Sequence, residues 1–240
     1  MKASLIVPCF NEEKNISHLL DRCEELFFGK GIEVVIVENG SNDNSYNLIN
    51  KILINKKRLN FIKLVKIPKN LGYGHGILKG IENSSSDIIG WTHADQQTDL
   101  ADFLTGLHLI EKHKGRNFLV KGKRRGRPFF DNIFTFGMSI FETLLLRKRL
   151  WDINAQPTIF HKTFSDSWEN PPNDFSLDLF AFYSAKVNNY KIIRFPVIFS
   201  KRLHGESSWN INFESKLRFI KRTMAYSLEL YKKLNIKKRC

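Results

Sequence analysis

The segment Ser4-Leu5-Ile6-Val7-Pro8-Cys9-Phe10-Asn11-Glu12-Glu13 decides the predicted fold, because a short apolar run passes directly into a polar turn. An apolar run of this length is typical of a strand buried on both faces. The same change occurs after residues 32–37 (IEVVIV) and after residues 87–91 (DIIGW). The sequence therefore predicts three buried strands, each followed by polar residues.

Strand patterns alternate with helical patterns through the first half of the chain, which predicts a mostly parallel sheet with helices on both faces. In such α/β sheets a ligand lies beyond the carboxyl ends of the strands, where the strand order reverses. We therefore expect the polar segments 9–13, 38–43 and 93–97 to face one pocket. The predicted strands are 4–7, 32–37, 60–67, 87–91, 118–120, a short one within 151–160, and 191–199; the predicted helices are 16–28, 45–55, 72–82, 101–113, 129–146, 175–187 and 213–234.

Length and composition limit the class of protein. The chain has 240 residues, of which 42% are hydrophobic and 26% charged, which excludes a disordered chain and fits one sizeable domain. The longest apolar stretch, 129–146, contains Asp131 and Glu142, so no membrane span is predicted. The first residues lack a signal peptide's apolar length, and the three cysteines form no C-x-x-C pair. We expect a cytoplasmic protein without disulfides or zinc, and a location at the inner face of the cell membrane is compatible with this expectation.

The net charge of +14 indicates a polyanionic partner, which leaves nucleic acid, a nucleotide-linked substrate and anionic lipid open beside a merely solvated basic surface. No nucleic-acid-binding motif accompanies the charge, so nucleic acid is the least favoured partner. Five basic residues crowd positions 121–127, and the helix 213–234 has an apolar stripe with basic flanks. That stripe packs either on the domain or on an anionic bilayer.

The segment Trp91-Thr92-His93-Ala94-Asp95-Gln96-Gln97 is the clearest candidate for a metal site. A carboxylate just past a strand end, with an imidazole and an amide nearby, can bind Mg²⁺ or Mn²⁺ together with substrate phosphates. The alternative interpretation makes Asp95 a helix cap and His93 a core histidine.

Two further polar groups follow strands. The carboxylates Glu12, Glu38 and Asp43 are of the type that holds ribose hydroxyls or a base edge, although helix capping explains Asp43 equally well. The glycine-rich residues 70–76 enter a helix where backbone amides can meet a phosphate, although glycine there is also ordinary turn chemistry.

Six segments in order resemble family 2 glycosyltransferases, in particular the dolichol-phosphate mannose synthase-like branch. They occur in order between about residues 3 and 210: IVPCFNEE at 6–13, VENGSND at 37–43, Asn70-Leu71-Gly72 with Gly76, Ala94-Asp95 with Gln97, VKGKR at 120–124, and RLHGESS at 202–208. The resemblance implies a GT-A fold and an inverting glycosyltransferase that uses a nucleotide-sugar donor, linked to UDP or GDP, and a divalent metal, Mg²⁺ or Mn²⁺.

The resemblance assigns roles residue by residue. The donor would be bound by Pro8, Glu12, Glu38, Asp43, Gly72, Ala94 and Asp95; the metal by His93, Asp95 and Gln97; phosphates of donor or acceptor by Arg124, Arg202 and Ser207; and catalysis would use Asp95 and Asp152. Asp152 is the candidate base or acceptor-positioning residue, with a turn aspartate as the alternative.

This sequence departs from the family pattern at three places. His93 replaces the first aspartate of the metal motif, and Glu38-Asn39 replaces two aspartates. Residues 152–157 (DINAQP) stand in place of the segment Asp-x-x-Ser-Gly-Phe-Arg of the synthases and keep only its aspartate, Asp152. The departures affect the sugar and the acceptor more than the fold.

The acceptor implied by the resemblance is a polyprenyl phosphate or a cell-surface glycan, with a function in cell-envelope biogenesis and peripheral contact with an anionic membrane. The predicted organisation is a GT-A domain at 1–210, with a nucleotide-sugar half at 1–122 and an acceptor half at 123–210, followed by an amphipathic basic helix and tail at 211–240. A non-catalytic nucleotide-sugar-binding scaffold and a nucleic-acid-binding protein remain alternatives, and the sequence does not indicate the oligomeric state.

Overall fold

The structure is a computed structural model that describes residues 2–113, 115–126, 129–202, 204 and 213–237. Its strands are β1 Ala3–Cys9, β2 Ile32–Asn39, β3 Ile62–Ile67, β4 Ile88–Trp91, β5 Phe118–Arg125, β6 Thr158–His161 and β7 Lys191–Ile198. Its helices are α1 Glu13–Phe27, α2 Ser45–Asn55, α3 Tyr73–Glu82, α4 Ala101–Glu111, α5 Phe129–Leu146, α6 Lys162–Asp166, α7 Ser176–Val187 and α8 Phe213–Lys237.

The strands of the described residues form one sheet in the order β3-β2-β1-β4-β6-β5-β7. β6 runs antiparallel to β4 and β5, and the remaining neighbours are parallel. The chain builds outward from β1 through β2 to β3 and then returns to place β4 on the other side of β1. This reversal between β1 and β4 is the switch point at which parallel sheets bind ligands. The predicted α/β class with a mostly parallel sheet is confirmed.

Helices cover both faces of the sheet because successive side chains of a strand point to opposite faces. In β1, Leu5 and Val7 pack into one core with α1, α2 and α4, whereas Ile6 packs into the other with α3, α6 and α7. This two-sided burial explains why the middle of the strand, Leu5 to Val7, is apolar on both faces. It also explains why a pattern analysis finds the strand easily.

β5 is longer than predicted, and this corrects the interpretation of the basic cluster at 121–127. The strand pairs with β7 from Phe118 to Arg125 instead of ending at 120. Lys121 is fully buried there: its Nζ donates to Thr158 Oγ1 at 2.8 Å and lies 3.2 Å from Asp178 Oδ1. At least part of the cluster is therefore internal structure and not a basic surface, because pairing with β7 holds these residues in the strand.

One side of α8 packs on the domain. Ser227 is buried and donates to Glu142 Oε1 on α5 at 2.6 Å, and Leu230 joins the core that contains α7. None of the described helices has a stretch both long and apolar enough to cross a membrane. The predicted division into halves falls within β5, between residues 122 and 123, and stays a prediction, as does the separate unit at 211–240.

Candidate active site

A cavity of about 620 Å³ opens at the carboxyl ends of β1 and β4, at the switch point of the sheet. Its wall combines the segments that follow β1, β2 and β4 with the start of α3, a loop before α7, and one residue of α8. The lining residues are Pro8–Asn15 without a gap, Asn39, Asp43, Asn70, Gly72, Tyr73, His93, Ala94, Asp95, Asp174, Phe175, Arg202, His204 and Arg222. The expectation that three polar segments face one pocket therefore holds for all three.

Of the predicted nucleoside-binding carboxylates, Glu12 and Asp43 line the cavity and Glu38 does not. The buried Glu38 carboxylate accepts from Ser41 N at 2.6 Å and so closes the turn after β2. Asp43 accepts from Glu13 N and Ser45 N, which fastens α1 to α2 as the capping alternative anticipated. Burial raises the pKa of the Glu12 carboxyl group above its usual range.

Asn39 takes a position in the cavity wall beside the turn that Glu38 closes. Its Nδ2 donates to Gly72 O at 3.0 Å, and its buried Oδ1 has no hydrogen-bond partner in the protein. A buried acceptor without a partner is costly unless a ligand or water satisfies it. The wall therefore offers one acceptor to a donor group of a bound ligand.

Asp95 and Arg202 form the charged pair of the cavity. Arg202 Nη2 lies 2.7 Å from Asp95 Oδ2, while Asp95 Oδ1 accepts from Gln97 N at 3.1 Å. Gln97 does not line the cavity: its Nε2 donates to Ser200 O, and its Oε1 accepts from Arg202 Nε at 3.4 Å. The predicted ligand Gln97 therefore positions the Arg202 segment.

His93 belongs to an aromatic column that reaches from the cavity to α8. Its ring stacks on Tyr73 at 5.2 Å between centroids, and Tyr73 stacks on Phe175 at 4.6 Å. The Arg222 guanidinium carbon lies 5.5 Å above the Phe175 ring, and its Nε lies 3.2 Å from Asp174 Oδ2. Burial lowers the pKa of His93, so its imidazole is neutral at neutral pH.

The residues present fit a divalent metal that is completed by substrate oxygens. Asp95 supplies an anionic oxygen and His93 a neutral imidazole in the same wall, and Mg²⁺ is commonly held by one or two carboxylates plus substrate phosphates. Among the described residues no group of three or more His, Cys, Asp and Glu side chains is placed to hold a metal by itself. A metal at Asp95 therefore requires Arg202 to exchange its partner for an anion of the substrate.

Arg124 and Asp152 lie together, outside the large cavity. Arg124 donates to Asp152 from its backbone N at 2.8 Å and from Nε at 2.7 Å. Burial favours the neutral acid, but the Arg124 guanidinium outweighs it and lowers the pKa of Asp152. The carboxylate is thus ionised, with both oxygens occupied, which suits a positioning group better than a free base.

A second cavity of about 50 Å³ adjoins this pair and shares Phe175 with the large cavity. Arg124, Ser139 and Glu142 contribute its polar wall. Glu142 is fully buried, its Oε2 has no hydrogen-bond partner, and burial raises its pKa to about 7. The second cavity therefore lies next to Arg124, a predicted phosphate-binding residue.

Part of the glycine-rich entry to α3 is hydrogen-bonded within the protein, and its role towards a phosphate stays a prediction. Gly72 N donates to Asn70 Oδ1, His75 N donates to Asn173 O, and Gly76 N donates to Gly72 O. A Cβ on Gly72 would lie 2.2 Å from Asn173 O, and Gly72 has φ +121°. The glycines are required because the loop before α7 lies directly on this turn.

Sequence reasoning assigned roles to only part of the wall. Pro8, Gly72 and Ala94 line the cavity as expected, and Ser207 lies outside the described residues. Wall residues that received no role of their own include Asn39, Tyr73, Phe175 and Arg222. Asn39 stands within a quoted motif and could have been found there, whereas nothing local marks Phe175 or Arg222, which tertiary packing brings to the site.

Comparison with known proteins identifies the family. The model of "Glycosyl transferase family 2" matches residues 4–226, and the chain belongs to that family. A dolichol-phosphate mannosyltransferase of Pyrococcus furiosus is 24% identical over 214 residues, covering 86% of this chain and 59% of the relative. A dolichyl-phosphate beta-glucosyltransferase of Dictyostelium discoideum is 29% identical, covering 65% and 53%. The chain thus spans little more than half the length of these two relatives.

Among solved structures, the mannosyltransferase PcManGT from Pyrobaculum calidifontis, in complex with GDP-Man and Mn²⁺, superimposes with a TM-score of 0.68. It is 17% identical, and the match covers 95% of this chain and 64% of that one. At this identity the likeness concerns the fold, and it confirms the GT-A architecture.

Proposed function

We propose that this family 2 member is an inverting glycosyltransferase that moves a sugar from a UDP- or GDP-linked donor to a polyprenyl-phosphate or cell-surface glycan acceptor. The observation that carries the proposal is the cavity at the sheet's switch point. Its wall contains the Asp95–Arg202 ion pair and the Asn39 Oδ1 atom, which has no hydrogen-bond partner in the protein. The two relatives named above, a dolichol-phosphate mannosyltransferase and a dolichyl-phosphate beta-glucosyltransferase, support transfer of a sugar to a lipid phosphate.

Arginine side chains would stabilise the departing nucleoside diphosphate. Arg202 and Arg222 both line the cavity; Arg202 pairs with Asp95 and lies 4.0 Å from Glu12 Oε1, and Arg222 pairs with Asp174. A guanidinium binds phosphate oxygens by paired hydrogen bonds, so the negative charge that develops on the leaving group meets fixed cations. A Mg²⁺ or Mn²⁺ ion held by Asp95 and His93 would supply further electrostatic stabilisation of the diphosphate.

The acceptor would approach from the side of Arg124 and the second cavity. Direct displacement requires the acceptor oxygen to be held opposite the leaving group, and this is an orientation problem. We assign Asp152 the task of fixing Arg124, because both carboxylate oxygens accept from that residue. An acceptor phosphate would bring its own ionised oxygen to the reaction and would need no base.

A non-catalytic nucleotide-sugar binder is the second candidate. The observation in its favour is the Asp95–Arg202 pair itself, since a permanent pair would keep the carboxylate from a metal. Turnover separates the two candidates, because both predict binding of the donor.

The test measures binding and hydrolysis of UDP- and GDP-sugars with and without Mn²⁺ or Mg²⁺ for the native chain and Asp95→Asn. We expect one donor to be bound and slowly hydrolysed in a metal-dependent manner. Loss of the Asp95 charge should reduce turnover roughly 100-fold or more, as removal of one charge-stabilising group does in other enzymes.

Asp99→Asn is the matched control, because Asp99 lies on the same segment, pairs with Arg22 at the surface and does not line the cavity. It should leave donor turnover unchanged. Binding without turnover under all metal conditions would support the scaffold alternative, and absence of any donor binding would contradict both.

A further inference from the structure

The outer face of α5 carries an exposed apolar stripe. Phe136, Ile140 and Leu144 recur every fourth residue and are 51%, 42% and 73% exposed. Residues at this spacing lie on one face of a helix. Trp151, 40% exposed, continues the stripe, with its ring edge-on to Phe136 at 5.3 Å. We call these four residues the α5 patch.

The patch is not explained by packing of the described chain. The opposite face of α5 provides the contacts with the domain: Ser139, Glu142 and Leu146 are buried there, and Glu142 bonds to α8. A contiguous cluster of large exposed apolar side chains marks an interaction surface more often than chance exposure does. The α5 patch therefore calls for an external partner.

The charge beside the patch selects the partner. Arg147, Lys148 and Arg149 follow α5 directly, and within the described residues none of them forms an ion pair. The exposed Ile54 near Lys56 and Arg58 provides the contrast, because those two cations are paired with acidic residues of α1. Apolar side chains bordered by uncompensated cations complement a surface with acyl chains beneath anionic headgroups.

We propose that the α5 patch, with Arg147, Lys148 and Arg149, docks the protein on an anionic lipid surface. The inner face of α5 lines the second cavity beside Arg124, so docking through the outer face brings that cavity to the level of the lipid headgroups. The inference rests on the proposed function in one respect: docking would give the second cavity access to a lipid-linked acceptor. It also moves the membrane contact from the α8 stripe, part of which packs inside the protein, to α5.

Flotation with two kinds of vesicle tests the inference, one of phosphatidylcholine alone and one of phosphatidylcholine mixed with phosphatidylglycerol. We expect the native chain to float with the anionic vesicles only. Leu144→Glu should lower the partition coefficient about tenfold, because it replaces the apolar contact of Leu144 with the lipid acyl chains by a charge. The double variant Arg147→Gln/Arg149→Gln should lower it by roughly fivefold for each charge removed.

Ile54→Glu is the matched control, since Ile54 is 71% exposed on α2 and should leave flotation unchanged. Donor binding without vesicles, measured on every variant, separates this inference from the proposed function and should not change. Failure of the native chain to float while it binds donor overturns the inference alone. Equal loss with Ile54→Glu, or a dimer that Leu144→Glu dissociates in solution, also overturns it.

Discussion

At the scale of single residues, the sequence identifies acidic residues more readily than the use the fold makes of them. The sequence predicts both Asp95 and Asp152 to be catalytic, yet they pair with different arginines, and of the two only Asp95 lines the large cavity. Glu38 and Gln97 belong to the expected motifs, yet their side chains serve neighbouring backbone and not the large cavity. Side-chain direction depends on register and turn geometry, which a motif does not encode.

Glu142 provides a pH test of the buried pair between α5 and α8. Burial raises its pKa from 4.5 to about 7, so the folded protein holds a proton that the unfolded chain has lost between these values. The contribution of Glu142 to the free energy of unfolding therefore falls as the pH rises from about 4.5 to 7, by roughly 3 kcal/mol at most. Outside this window that contribution is constant. Glu142→Gln should remove this dependence and be more stable than the native chain at pH 8.

Denaturant unfolding between pH 5 and pH 8 measures the effect on both proteins. In Glu142→Gln the amide oxygen of the new side chain still accepts from Ser227, so the variant keeps the α5–α8 contact. A pH dependence that is the same in native and variant protein would show that Glu142 ionises without penalty.

At the scale of elements, local pattern predicts existence well and extent less well. The helix 45–55 has the bounds that the sequence indicated, because its limits are local. β5 exceeds its predicted length because its partner β7 holds Lys123 to Arg125 in the sheet, and the partner is distant in sequence. The cover of the α3 turn by the loop before α7 is equally non-local, because Asn173 O lies where a Cβ on Gly72 would be.

The buried pair of Lys121 and Asp178 joins β5 to α7, and Lys121→Met should expose its role. The substitution leaves Asp178 buried without its cation, with Oδ2 already lacking a partner, and breaking such a pair costs about 3–5 kcal/mol. The free energy of unfolding should fall by this amount. Adding Asp178→Asn should recover much of it, since no unpaired charge then remains.

Lys123→Met is the control for this pair, because Lys123 is exposed on the same strand and should change stability by less than about 0.5 kcal/mol. Equal effects of the two lysine substitutions, or no recovery in the double variant, would mean that the pair does not carry the contact between β5 and α7.

At the scale of the whole molecule, the basic character separates into distinct uses. Lys121 is internal, Arg124 and Arg202 are held by carboxylates at the two cavities, and Arg147 and Arg149 border the α5 patch. The net charge of +14 predicts an anionic partner without saying where it binds. Only the arrangement of the chain in space assigns these cations to the core, the two cavities and the α5 patch.

The C-terminal helix gives the last prediction, because it joins the core, the second cavity and the active-site wall. The sequence leaves open whether the stripe of this helix packs on the domain or on an anionic bilayer, and only in the second case would removal of residues 213–240 release the protein from anionic liposomes. α8 instead provides Leu230 to the core, Ser227 to Glu142 and Arg222 to the large cavity. We therefore expect the truncated chain to lose both stability and donor affinity. The free energy of unfolding should fall by at least roughly 2–5 kcal/mol, which is the cost of removing one large core side chain.

Full-length Arg222→Gln separates the site role of α8 from its packing role. It should keep the native stability and weaken donor binding about tenfold, because a charge-assisted contact to the diphosphate is lost while the helix remains in place. Lys221→Gln, the exposed neighbour on the same helix, should change neither quantity. A truncated chain with native stability and native donor affinity would contradict this prediction. It would mean that α8 contributes neither to the core nor to donor binding.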